Sequence, residues 1–277
     1  GVEGPAFYRQ LVRSMVELAD RESGEIISRF PKVHRRVGGY NIDALLPPST
    51  GKSQRNMAQL LVGSEGTLAF TRRLTLQLQP IPERKALGIC HFSSFYQAMA
   101  STQHIVKLKP DAVELVDRTL IELALDIPMF RDTLTRHVRG RPDALLLVEF
   151  SGEDPVHLER QLADLNSLLS DLGHSGSVVK ITDAGEQRAV WEVRKAGLNI
   201  MMSMKGDGKP VSFIEDCAVP LEHLADFTDR LTGIFRDHGT SGTWYAHASE
   251  GCLHVRPILN MKSTADVKKM RSIAEKA

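Results

Sequence analysis

The sequence predicts an α+β protein whose larger part is a sheet with helices on one face. Three observations predict it. Beyond about residue 82, short apolar runs of strand length alternate with amphipathic stretches at helical spacing. Residues 244–257 carry two apolar runs, rich in aromatics on the entering side, around Ser249-Glu250-Gly251-Cys252, which reads as a hairpin. Before residue 82 the pattern is different: a helix, a Gly- and Pro-containing stretch, and one alternating strand punctuated by Pro80-Ile81-Pro82. That punctuation divides the chain into 1–82 and 83–277.

Residues 5–28 place Phe7, Leu11, Met15, Leu18 and Ala19 on one helical face, with Gly24 weakening the later turns. Lys32, His34, Arg35 and Arg36 form a basic run that reads as a solvated loop. Ser49-Thr50-Gly51-Lys52-Ser53 resembles the end of a phosphate loop. The motif's first glycine falls at Leu46, however, and Pro47-Pro48 intervenes without a leading strand. Residues 54–62 form a short helix or turn. Gly63-Ser64-Glu65-Gly66-Thr67 follows, where glycines permit positive φ and close approach of a ligand to backbone amides. A plain helix-to-strand turn explains it equally well. Leu74, Leu76 and Leu78 alternate with polar residues as a half-buried strand.

In the second part, strands are predicted over 86–92, 112–116, 144–150, 176–181 and 211–219. Helices are predicted over 93–108, in two stretches to about 139, over 154–172, 183–204 and 221–238, and from about 264. The last helix runs to residue 277 without a stop signal, so the chain is expected to be a piece of a longer protein.

Apolar content of 42% and charged content of 25% suit a globular protein with a sizeable core. A net charge of +1 gives no electrostatic case for nucleic acid or an anionic membrane surface. Three widely spaced cysteines disfavour a disulfide framework and fit a reducing compartment. No apolar run approaches a membrane span. These bounds predict a cytoplasmic protein, with peripheral membrane association and homo-oligomerisation left open.

The chemistry concentrates in the hairpin. Pairing symmetric about its turn sets His247 opposite His254, so both imidazoles leave the same face of the sheet, with Arg256 on that face as well. Imidazole nitrogen suits a zinc-like divalent metal. The plainer reading is a pair of ordinary hydrogen-bonded histidines. Arg194 has the fork geometry to take a carboxylate, or can pair with Glu192 or Asp216 at the surface. Arg256 can supply a second carboxylate contact or pair with Glu250.

Gly39-Tyr40-Asn41-Ile42-Asp43, Gly63-Ser64-Glu65-Gly66-Thr67-Leu68 and His247-x6-His254, in this order and at about these distances, resemble flavoproteins of the vanillyl-alcohol-oxidase superfamily. The branch is that of the D-lactate, glycolate and D-2-hydroxyglutarate dehydrogenases. Residues 110–118 and 247–254 look most like its long bacterial members, which are fused to an iron–sulfur region. The resemblance implies the C-terminal part of an FAD-binding domain, then an antiparallel, ferredoxin-like substrate domain truncated at its end. It implies FAD contacts from Gly63, Ser64, Glu65, Gly66 and Thr67, and from Tyr40 and Asn41. It implies a divalent metal on His247 and His254 that holds a small 2-hydroxy acid.

Arg194, His254 and Arg256 then serve catalysis, with hydride passing from C2 to flavin and electrons leaving through an acceptor domain or carrier. The family's third metal ligand, a neighbouring histidine base, the iron–sulfur cluster and the earlier part of the FAD domain would lie outside residues 1–277, so this piece alone is expected to be inactive. The family's His-x-Gly-Asp-Gly-Asn-Leu-His reads here His247-Ala248-Ser249-Glu250-Gly251-Cys252-Leu253-His254. A metal-dependent hydrolase using the two histidines, or a non-catalytic module retaining the fold, are the alternatives.

Overall fold

The computed structural model describes residues 4–33, 35–36, 39–47 and 54–277. The phosphate-loop-like stretch 49–53 and His34 of the basic run lie outside them. The chain divides into two compact units, Gly1–Gln79 and Pro80–Ala277.

In the first unit, α1 (Ala6–Arg21) gives way at Glu22 to α2 (Ser23–Arg29), just ahead of Gly24. A 3-10 turn over Ile42–Leu45 and the short helix α3 (Met57–Leu61) follow. Asn56 caps α3, its side-chain oxygen accepting from the amides of Ala58 and Gln59. Ala19, Leu45 and Leu60 form a small core, with Met15, Ile42 and Met57 packed against it. The strand expected over 74–79 is absent. Leu74, Leu76 and Leu78 are 68%, 67% and 84% exposed, in backbone without strand pairing. The alternation is present in the sequence, but a strand is defined by its partner, and no partner pairs with it among the described residues.

The second unit is one eight-stranded sheet. Its strands are β1 (Arg84–Phe92), β2 (Ala112–Asp117), β3 (Ala144–Gly152), β4 (Val178–Ile181), β5 (Lys209–Pro210), β6 (Cys217–Ala218), β7 (Gly242–His247) and β8 (Cys252–Leu259). The order is β4-β1-β3-β2-β7-β8-β5, with β6 also on β8, and every pairing is antiparallel. The expected continuous strand over 211–219 is instead two short pieces on β8. Between them Phe213 and Ile214 turn into the core, and Glu215 and Asp216 turn toward β8 side chains.

The helices are α4 (Phe95–Ile105), α5 (Arg118–Leu125), α6 (Pro128–His137), α7 (Pro155–Asp171), α8 (Ala184–Lys195), α9 (Gly197–Met202), α10 (Leu224–Asp237) and α11 (Thr264–Lys276). The helix expected over 183–204 is broken at Ala196 into α8 and α9.

The α+β architecture is as the sequence predicts and the antiparallel pairing as the resemblance implies, but the helices cover both faces rather than one. On one face Ala86, Cys90, Leu115, Leu146, Trp244 and Val255 meet buried residues of α4, α7, α10 and α11. On the other, Leu87, Ile89, Val116, Leu145 and Leu147 meet buried residues of α5, α6, α8 and α9. The central strands read as near-continuous apolar runs for this reason: both sides of β1 and β3 are buried. At Gly88 an added Cβ would stand 2.6 Å from Leu165 of α7, so glycine lets that helix lie close on β1.

Candidate functional site: a carboxylate-braced histidine pair

The hairpin β7–β8 does not pair symmetrically. Tyr245 stands opposite His254, and His247 stands opposite Cys252. A 3-10 turn over Ala248–Glu250 and Gly251 at φ +66° consume the extra residues. The expected His247–His254 register is therefore shifted by two residues. A two-residue shift keeps every side chain on its face, so the imidazoles still converge, as diagonal neighbours. Their ring centroids are 5.2 Å apart and nearly perpendicular.

Each ring is gripped from behind. Glu114 of β2 stands directly across from His247, and its Oε1 lies 2.7 Å from His247 Nδ1. Asp216 Oδ1 lies 2.6 Å from His254 Nδ1. A carboxylate accepts and does not donate, so each Nδ1 carries a hydrogen, and in a neutral ring that leaves the lone pair on Nε2.

Arg194, near the end of α8, donates from Nη2 to the other oxygen of Glu114 at 2.6 Å. The two side chains are only 11% and 12% exposed. Its guanidinium also lies 5.0 Å from the centre of the Tyr245 ring, a cation–π contact. Its Nε is buried without a partner among the described residues. Burial pushes the Tyr245 phenol above its usual range. The Tyr245 ring lies 4.7 Å from that of His254, which closes the cluster.

Arg256 donates to Glu215 through both Nε and Nη2, the latter at 3.1 Å. The structure thus brings His247, His254 and Arg194 into one cluster and sets Arg256 beside it. The surface partners that the sequence suggests are not the ones formed. Arg194 pairs with Glu114, Lys195 takes Glu192, Asp216 takes His254, and Arg256 takes Glu215 rather than Glu250. Cys252, expected in the turn, is the buried first residue of β8.

Gly251 makes this arrangement possible. An added Cβ would sit 2.0 Å from the Val219 carbonyl oxygen. The Val219 amide donates to the Gly251 carbonyl at 2.9 Å. That contact draws the segment carrying Glu215 and Asp216 against β8.

Along the same face, Glu149 of β3 accepts from Lys85 Nζ at 2.6 Å and from Trp191 Nε1 at 2.8 Å. A cavity of about 520 Å³ opens there, lined by Glu114, Glu149, Lys85, Trp191, Arg188 and Lys195 among others. Sequence reasoning missed Glu114, Glu149, Glu215, Asp216 and Tyr245. The available signal was a lone carboxylate inside an apolar strand, as in Val113-Glu114-Leu115 and Val148-Glu149-Phe150.

The donor chemistry of the histidine pair fits part of a divalent-metal site: in the neutral rings the two Nε2 atoms are left to coordinate, and both rings are oriented by carboxylates. Among the described residues, no group of three or more His, Cys, Asp or Glu side chains is arranged to hold a metal ion.

In the first unit, residues 63–67 form a turn fastened at several points. Gly63, Glu65 and Gly66 have φ of +82°, +51° and +78°. Ser64 Oγ donates to the Leu61 carbonyl at 2.8 Å, and Thr67 Oγ1 donates to the Ser64 carbonyl at 2.6 Å. The Tyr40 hydroxyl meets Thr67 Oγ1 at 2.9 Å, and Asn41 Nδ2 donates to the Val62 carbonyl at 2.8 Å. All seven residues expected to contact a cofactor therefore belong to one local assembly. Its outer side is open at Gly66, where an added methyl would meet nothing within 4 Å.

Among the described residues no helix is long and apolar enough to cross a membrane. Residues 81–277 match the family described as FAD linked oxidases, C-terminal domain. The chain is 30% identical over 265 residues to the D-2-hydroxyglutarate dehydrogenase of Pantoea ananatis (strain AJ13355), covering 92% of this chain and 26% of that protein. It is 30% identical over 246 residues to the D-2-hydroxyglutarate dehydrogenase of Escherichia coli (strain K12), covering 85% and 24%. The chain thus spans about a quarter of the length of these relatives. Among solved structures, alkyldihydroxyacetonephosphate synthase is similar with a TM-score of 0.52 at 14% identity, over 81% of this chain and 44% of that one. That is a likeness of fold.

Proposed function

Since this chain belongs to the FAD-linked oxidases, through their C-terminal domain, we propose that it is part of a flavoprotein that dehydrogenates a D-2-hydroxy acid of the D-lactate or D-2-hydroxyglutarate type. The observation that carries the reading is the cluster on one sheet face: two imidazoles 5.2 Å apart, each held at Nδ1 by a carboxylate, beside a nearly buried arginine.

In this reading FAD, when bound, supplies the acceptor for the hydride leaving C2, and a zinc-like ion supplies Lewis-acid polarisation of the 2-hydroxyl. His247 and His254 would hold that ion through Nε2, with further ligands coming from elsewhere. Arg194 anchors the substrate carboxylate and so orients C2. Of the two arginines the geometry favours Arg194, which gives one nitrogen to Glu114, over Arg256, which gives two to Glu215. Tyr40, Asn41 and the turn 63–67 would contact the flavin. The onward electron acceptor, including any iron–sulfur region, belongs to sequence outside these residues.

The test is anaerobic mixing of the complete gene product with D-lactate, D-2-hydroxyglutarate and their L-isomers, following flavin absorbance. The expected result is bleaching by a D-isomer and none by its L-isomer. A flavin that stays oxidised with every D-2-hydroxy acid contradicts the proposal. In the same protein His254→Ala should lose about 100-fold or more in turnover. Glu250→Ala, in the turn, should lose far less. Equal losses would remove the metal assignment.

A further inference from the structure

We propose that Glu114 is a positioning residue that sets two functional side chains at once. It holds His247 in the tautomer that presents Nε2, and it fixes the guanidinium of Arg194. The inference rests on the reading of the histidine pair given above.

The geometry makes Glu114 unlike the other carboxylates of the cluster. It stands across from His247 in the β2–β7 register, so its place is set by the sheet rather than by a loop. Its two oxygens are divided, Oε1 to His247 Nδ1 at 2.7 Å and Oε2 to Arg194 Nη2 at 2.6 Å. Among the described residues it is the one hydrogen-bond acceptor of the Arg194 guanidinium. Asp216 does only half of this work: among the described residues it meets His254 alone, and its side chain is 60% exposed. Glu114 is therefore the point at which the imidazole pair and the arginine are joined. Both connections run through one carboxylate that is 12% exposed, so a change at Glu114 itself reaches the imidazole and the guanidinium together.

Replacing Glu114 by glutamine keeps the shape but leaves one acceptor oxygen instead of two. The buried cation claims that oxygen, and the amide NH₂ then faces His247 Nδ1. Nδ1 must become the acceptor, so the hydrogen moves to Nε2 and the ring can no longer offer that nitrogen to a metal. A purely structural ion pair between Glu114 and Arg194 predicts no such change.

The experiment compares the wild type with Glu114→Gln in two measurements. The first is ¹⁵N NMR of the histidine-labelled complete gene product, stripped of metal by a chelator and read at a pH where the rings are neutral. His247 is expected to invert its tautomer in Glu114→Gln, while His254, held by Asp216, keeps its own. The His254 signals also report whether the fold is intact. The second is a zinc titration of the complete gene product, in which Glu114→Gln should weaken binding at least tenfold. An unchanged His247 tautomer in a folded Glu114→Gln protein overturns the proposal. A tautomer that inverts in a protein whose wild type binds no zinc upholds the positioning role and sinks the metal reading of the previous subsection instead.

Discussion

The three strands β2, β7 and β8 present two unlike faces. On one, Val113, Leu115, Trp244, Ala246, Leu253 and Val255 are buried against α4, α10 and α11. On the other, the intervening positions Glu114, Tyr245, His247, His254 and Arg256 form the hydrogen-bonded cluster. The backbone is common to both, and only the period of two separates them. The difference assigns the labour: the apolar face fixes register and twist, and the polar face inherits that register as ready-made geometry for chemistry. A substitution on the first face should cost stability, and one on the second should cost function.

The largest expected effect is on the apolar side. Leu253 is fully buried, and Leu253→Ala should destabilise by about 2–5 kcal/mol in a urea unfolding curve. A loss of only a few tenths would mean that this face does not hold the register.

Gly251→Ala should cost about 3 kcal/mol, since alanine would meet both an unfavourable φ and the Val219 carbonyl. Unlike Leu253→Ala, it should also disturb the Asp216–His254 pair, visible as changed His254 ring shifts in the folded fraction. Unaltered shifts would separate the turn from the site.

The apolar face has one ionisable exception, Asp117, whose side chain accepts from the amides of Leu120 at 2.8 Å and Trp244 at 2.9 Å. Burial pushes its carboxyl up to about 7, against the opposing pull of those two amides. The native state therefore keeps a proton that the unfolded chain, with the carboxyl near 3.8, has lost. Stability from this group is complete below about pH 4 and declines as pH rises toward 7. Asp117→Asn should flatten the fall in melting temperature between pH 4 and 7. An undiminished fall would place its origin elsewhere.

The smallest expected stability effect is on the polar face. His247 is 37% exposed, and its truncation leaves one oxygen of the 12% exposed Glu114 without its partner, so His247→Ala should cost about 1–2 kcal/mol. A cost equal to that of Leu253→Ala would erase the distinction between the faces.

How much of this was legible in the sequence follows the same division. The strands with an apolar face were readable, because Leu145, Leu146, Leu147 and Val148 announce a doubly buried strand wherever they pair. That His247 and His254 share a face was readable too, since it depends only on parity. Their register was not: a symmetric turn was the simplest assumption, whereas three residues in a 3-10 turn and Gly251 at positive φ set the pairing. Glu114 was hidden for a different reason. It lies 133 residues from His247 and 80 from Arg194, and no local pattern encodes which strand becomes the neighbour of β7. The strand expected at Leu74–Leu78 failed on the same ground, since alternation reports a face and not a partner.

The claim on which the account turns is that the Nε2 atoms of His247 and His254 serve one ion. The most direct measurement is a cobalt(II) titration of the complete gene product and of His247→Ala and His254→Ala, following the visible ligand-field bands. One ion per chain is expected in the wild type, with loss of the bands in either variant. Bands that persist unchanged in both variants would contradict it.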